Sequence, residues 1–133
     1  MVSQPTIYIV DDDAAVRDSL SNLFRVIGLS VRSYASAKAF LEELPVTGSG
    51  CLITDVHMKV MSGLQLLQRL KTLKSRLPVI VITGRTSSTL TADAMAAGAI
   101  ALIEKPFGSD EIVGAVLAAV SANVSGVVRP QRL

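Results

Sequence analysis

Short apolar runs alternate with helix-period patterns along the whole chain. Thr6–Val10 is rich in β-branched residues and reads as a buried strand. From Asp13 a helix follows, with Val16, Leu20, Leu23 and Ile27 recurring on one face at a period of about 3.6 residues. Asp13 suits its N-cap and Gly28 its stop. Residues 29–34 form a weaker strand, residues 36–44 a short helix ended by Pro45, and residues 47–50 a loop. Residues 51–55 are the third strand. Residues 63–73 are a helix with Leu66, Leu67, Leu70 and Leu73 turned inward. Residues 78–83, nearly all Val and Ile, are the fourth strand. Residues 87–97 are an Ala- and Thr-rich helix closed by Gly98, and residues 100–104 the fifth strand. Residues 109–123 are the last helix, with Asp110 and Glu111 in its first turn, where the helix dipole favours them.

Strands that are apolar at every position, alternating with helices, belong to a parallel sheet covered on both faces. The expected fold is therefore α/β and doubly wound, with five strands and five helices. The 133 residues fit one domain. We place it at residues 1–123, with residues 124–133 as a tail or the start of a linker.

Half the residues are hydrophobic and only 4% aromatic, so the core is aliphatic. The single cysteine, Cys51, cannot form an internal disulfide and starts an apolar run; it reads as a core residue in a reducing cytoplasm. A net charge of +2 is too small to argue for nucleic-acid binding. No signal peptide is visible. Residues 112–128 carry no charge, but the stretch is interrupted by Gly, Ser and Asn and is shorter than the ~20 residues of a bilayer span. It reads as a packed helix. Ile112, Val113, Val116, Leu117 and Val120 form its inward stripe, and Gly114, Ala115, Ala118, Ala119 and Ala122 lie beside or opposite. An uncharged outer face suits a partner.

The informative polar residues stand at strand ends: Asp11 and Asp12 after the first strand, Asp55 at the end of the third, Thr83 at the end of the fourth, Lys105 after the fifth. The carboxyl edge of an open parallel sheet is where such folds bind ligands. Three carboxylates against one ammonium leave the pocket negative, and a divalent cation cancels the excess. Oxygen ligands suit Mg²⁺, or Mn²⁺ in its place. The matching chemistry is phosphoryl transfer to a carboxylate. Asp55 is the expected nucleophile, and Lys105 and Thr83 would hold phosphoryl oxygens. Each residue singly has an ordinary explanation as a cap or a solvated side chain. Five at four strand ends do not.

These residues lie within a set of motifs: Ile-Val-Asp-Asp-Asp at 9–13, Leu-Ile-Thr-Asp at 52–55, Met-Ser-Gly at 61–63, Val-Ile-Val-Ile-Thr-Gly at 79–84, Ala-Met-Ala-Ala-Gly-Ala at 94–99 and Ile-Glu-Lys-Pro-Phe at 103–107. In them the chain resembles bacterial response-regulator receiver domains, and among those the FixJ-like subfamily. The resemblance implies a flavodoxin-like (CheY-like) fold with strand order 2-1-3-4-5. It implies that Asp55 takes a phosphoryl group from a sensor histidine kinase in a phosphorelay, and that a linked DNA-binding domain regulates transcription. It further implies that Asp12, Asp55 and the backbone carbonyl of His57 ligate Mg²⁺, with Asp11 acting through water, and that the Lys105–Pro106 bond is cis. Such receivers pair through helix 4, strand 5 and helix 5 once phosphorylated. They are not enzymes on other substrates, but assist their own phosphorylation and dephosphorylation.

Three features depart from the family pattern. Lys59 stands where Pro is usual. Leu102 stands at the switch position, usually Tyr or Phe, which works with Thr83. His57 and Arg85, the two positions that flank the phosphoryl group and tune its lifetime, can both be basic. Two other readings compete. An Asp-nucleophile, Mg²⁺-dependent phosphatase of the haloacid-dehalogenase type would use Asp11 and Asp13, but has Ala15 where it needs Thr and leaves Asp55 idle. A phosphorylation-independent interaction module would explain Lys59 and Leu102, but not the retention of every acid together with Thr83 and Lys105.

Overall fold

The computed structural model describes residues 5–46 and 49–125, with side chains through Ser121. Residues 47 and 48 of the expected loop, and 126–133 of the expected tail, lie outside the described residues.

The elements are β1 (Thr6–Val10), α1 (Ala14–Val26), β2 (Ser30–Tyr34), α2 (Ala37–Leu41), β3 (Gly50–Asp55), α3 (Gly63–Thr72), β4 (Val79–Thr83), α4 (Ser88–Ala96), β5 (Ala101–Glu104) and α5 (Ser109–Ser125). All sheet pairings are parallel, in the order β2-β1-β3-β4-β5. This is the flavodoxin-like, doubly wound arrangement.

The period-2 geometry of strands explains why they read as unbroken apolar runs. Ile7, Ile9, Cys51, Ile53, Ile80 and Ile82 point to one face and pack with Leu20 and Phe24 of α1 and Ile112 and Val116 of α5. Tyr8, Val10, Leu52 and Val81 point to the other and pack with Phe40 of α2, Leu66, Leu67 and Leu70 of α3, and Ala94 of α4. Cys51 is fully buried, and burial pushes its thiol up to about 12, so it stays a protonated core group.

Three inward assignments change. Ile27 and Leu73 are 43% and 55% exposed, because each is the C-cap of its helix, where the chain leaves the buried face. On α1 it is Phe24 that fills the core. On α5, Leu117 is 46% exposed while Ala119 is buried. The stripe there runs Ile112, Val116, Ala119, Val120, a spacing of four, three and one that stays on one helical face.

The junctions that carry the sheet's carboxyl edge are well tied. Asp13 caps α1, its side chain accepting from the Ala15 amide at 2.9 Å. Ser62 and Gln65 form a capping box at the start of α3. A Cβ at Gly63 would collide with the Asp55 carbonyl oxygen, so only glycine lets α3 start this close to the end of β3. The Lys105–Pro106 bond is cis, as is Leu44–Pro45.

Candidate functional site

The strand order brings β1, β3, β4 and β5 side by side, so their carboxyl ends share one edge. Asp11 follows β1 and is fully buried; Asp55 is the last residue of β3 and 7% exposed. Thr83 ends β4 and is buried. The Lys105 amide donates to the Thr83 carbonyl at 2.7 Å, which holds the segment after β5 against the end of β4. Lys105 Nζ then reaches Asp11 Oδ2 at 3.6 Å and Asp55 Oδ1 at 3.7 Å.

Asp11, Asp12 and Asp55 each offer an oxygen, and these atoms all lie within 4.8 Å of one another. Asp11 Oδ1 accepts from the Asp13 amide at 2.9 Å. Among the described residues Asp11 Oδ2 is buried with no hydrogen-bond partner; Lys105 is an ion pair away rather than at bonding distance. Burial raises the Asp11 carboxyl above the ordinary range, against the opposing pull of the Asp13 N–H and Lys105. Asp55 is raised too, first by burial and then by the charge of Asp11, with Lys105 opposing. One ammonium therefore does not balance these acids. The donor set is all oxygen, leaves a buried oxygen orphaned, and carries more negative charge than the Lys105 ammonium offsets, which fits a hard divalent cation.

The remaining candidates sit around this centre. His57 is exposed, two residues past Asp55. The Lys59 amide donates to Asp12 Oδ2 at 3.3 Å, so the loop after β3 touches the acid pair through its backbone. Arg85 is exposed, and its backbone is bonded to Thr83 Oγ1. Leu102 is half-buried against the core on the α2–α3–α4 side. Asp13, which the phosphatase reading would use beside Asp11, spends its carboxylate on the α1 cap.

Two residues were not singled out by sequence. Arg17 Nη1 donates to the Asp11 carbonyl at 2.7 Å. Val60 has φ 69°, and the Met61 amide donates across it to the Lys59 carbonyl at 2.8 Å, as in a classic γ-turn. Neither contact leaves a pattern in the sequence, since both use backbone groups.

A family model for the response regulator receiver domain matches residues 7–117. The chain belongs to this family. The response regulator protein TodT of Pseudomonas putida is 45% identical over 113 residues, covering 85% of this chain and 50% of that protein. The transcriptional regulatory protein FixJ of Bradyrhizobium diazoefficiens is 38% identical over 120 residues, covering 90% of this chain and 58% of FixJ. The crystal structure of FixJ-N superposes with a TM-score of 0.79 at 38% identity, covering 97% of this chain and all of that one. The receiver chain thus spans about half the length of the curated relatives it matches. Among the described residues, no helix is long and apolar enough to cross a membrane.

Proposed function

We propose that this receiver is the phosphoacceptor of a two-component phosphorelay and that Asp55 carries the phosphoryl group. The observation that supports it best is the meeting of Asp55 with Asp11, Asp12, Lys105 and Thr83 at one sheet edge. An oxygen of Asp55 attacks the phosphorus of a phosphohistidine on a sensor histidine kinase. The P–O bond forms, the P–N bond breaks, and the electron pair returns to the imidazole. Lys105, placed between Asp11 and Asp55, neutralises charge on a phosphoryl oxygen, and Thr83 offers a hydroxyl to another. Asp11, Asp12, Asp55 and the His57 carbonyl would hold Mg²⁺, which supplies charge neutralisation on the transferring group when bound. His57 and Arg85, on the loops after β3 and β4, shield the acyl phosphate and set its lifetime.

The response then leaves the site through Thr83 and Leu102. Met95 on α4, Ile100 at the entry to β5 and Leu117 on α5 are all exposed apolar residues, and they suit pairing of two receivers through α4, β5 and α5. Residues 1–123 are the receiver, and residues 124–133 lead to an output domain that binds DNA and regulates transcription in the cytoplasm. The greater length of the relatives supports this. The receiver turns over no external substrate and assists only its own phosphorylation and dephosphorylation.

Beryllofluoride with Mg²⁺ mimics an acyl phosphate and tests this reading. It should shift the amide resonances of Asp55, Thr83 and Lys105 and raise the mass in solution of wild type toward a dimer. Asp55→Asn should show neither effect. Equal masses across a concentration series would contradict the pairing, and a response surviving in Asp55→Asn would contradict the assignment of Asp55.

A further inference from the structure

Arg17 lies one turn inside α1, and its side chain turns back toward the end of β1, where it donates to the Asp11 carbonyl at 2.7 Å. That carbonyl belongs to the peptide unit joining Asp11 to Asp12. Asp11 is then fixed at every polar atom but one. Its amide donates to the Tyr34 carbonyl at 3.2 Å, its Oδ1 accepts from the Asp13 amide at 2.9 Å, and its carbonyl accepts from Arg17. The atom left over is Oδ2, the buried oxygen without a hydrogen-bond partner. Asp12 is different: it is exposed, and among the described residues its Oδ2 accepts from the Lys59 amide alone, at 3.3 Å. The peptide plane that Arg17 holds also carries the Asp12 amide and Cα, from which the Asp12 side chain departs.

Among the described residues the Arg17 guanidinium pairs with no carboxylate of the acid cluster; its bond goes to the Asp11 carbonyl. A guanidinium placed to neutralise acids would fork onto one of them. This one is spent on a carbonyl, through a charge-assisted bond that fixes direction.

We infer that Arg17 is a positioning residue, which clamps the Asp11–Asp12 peptide so that both carboxylates face one divalent cation. The inference rests on the proposed reading of the site as a Mg²⁺-dependent phosphoacceptor. Groups that orient metal ligands typically contribute about ten- to a hundredfold in affinity. Charge alone works in the opposite direction. A guanidinium close to the pocket repels a cation, so removing it would tighten binding if orientation did not matter. The two roles predict effects of opposite sign.

The test is a Mg²⁺ titration of the full chain, followed by the amide resonances of Asp12, Asp55 and Lys59, for wild type, Arg17→Met and Arg17→Lys. Methionine keeps the apolar stem and removes the donor; lysine keeps a charged donor. Arg17→Met should weaken Mg²⁺ binding on the order of tenfold, while its melting temperature in chelator stays close to that of wild type. Arg17→Lys should recover most of the affinity. Unchanged or tighter binding in Arg17→Met overturns the inference, as does a loss that only tracks the unfolded fraction, or a lysine variant as weak as the methionine one. A wild type with no saturable Mg²⁺ shifts would instead overturn the reading of the site, and this inference with it.

Discussion

The Thr83 hydroxyl is tied to the backbone of Arg85 in both directions: it donates to the Arg85 carbonyl at 2.9 Å and accepts from the Arg85 amide at 3.2 Å. A hydroxyl has one proton to donate. Donation to a phosphoryl oxygen and to the Arg85 carbonyl are therefore exclusive, and a phosphoryl group that takes the Thr83 proton breaks one of the two bonds that hold the loop leading into α4. With beryllofluoride and Mg²⁺, the amides of residues 85–88 should shift in wild type and stay in place in Thr83→Ala, although Asp55 is still modified. Loop shifts that persist in Thr83→Ala would show that the loop responds by another route.

The same loop carries the Arg85 side chain toward solvent beside the site. Arg85→Ala should shorten the lifetime of the acyl phosphate severalfold, measured as loss of the phosphorylated form after the donor is removed. An unchanged or longer lifetime contradicts a shielding role.

Burial, and then the charge of Asp11, hold the Asp55 carboxyl above the ordinary 3.8 of an aspartate. A raised folded-state value means that the native protein binds more protons than the unfolded chain between 3.8 and that raised value. Stability therefore falls as pH rises through this window, and the deficit persists at neutral pH. Asp55→Asn removes the charge and should raise the melting temperature in chelator at pH 7 by roughly 2–8 °C. The gain should shrink as pH falls through the window, and should shrink at pH 7 when Mg²⁺ is added, because the cation stabilises only the wild type strongly. A variant no more stable than wild type at pH 7 in chelator would contradict this electrostatic account.

Val60 combines a φ of 69° with full exposure of its side chain. A β-branched residue in left-handed backbone is strained by about 1–2 kcal/mol or more, and here no packing offsets it. Glycine relieves the strain and costs about 0.5–1 kcal/mol through the freer unfolded chain. Val60→Gly should gain about 1 kcal/mol of unfolding free energy in denaturant titrations. A net loss would mean that the turn is not strained as described.

The sheet was legible in the sequence because its central strands β1, β3 and β4 are buried and largely apolar on both faces, which a pattern of residue types records directly, whereas the edge strand β2 is mostly exposed and reads more weakly. Helix ends were less so. Ile27 and Leu73 keep the apolar period but sit at C-caps, and periodicity does not say where a helix stops. On α5 nearly every position is apolar or small, so no unique inward face can be chosen. Leu117 turns outward, and Ala119 fits close to the sheet. The site residues stood out because carboxylates, a hydroxyl and an ammonium at strand ends have no reason to cluster unless they act together. What stayed hidden depends on backbone geometry: the clamp of Arg17 on the Asp11 carbonyl, the turn at Val60, and the direction of the Thr83 hydroxyl.

Phosphorylation of Asp55 is read most simply from intact mass. Wild type and Asp55→Asn are each incubated with acetyl phosphate and Mg²⁺, and their intact masses are compared. Wild type should gain one phosphoryl adduct, Asp55→Asn none, and no adduct should form when chelator replaces Mg²⁺. An adduct on both proteins, or on neither, would contradict phosphorylation at Asp55.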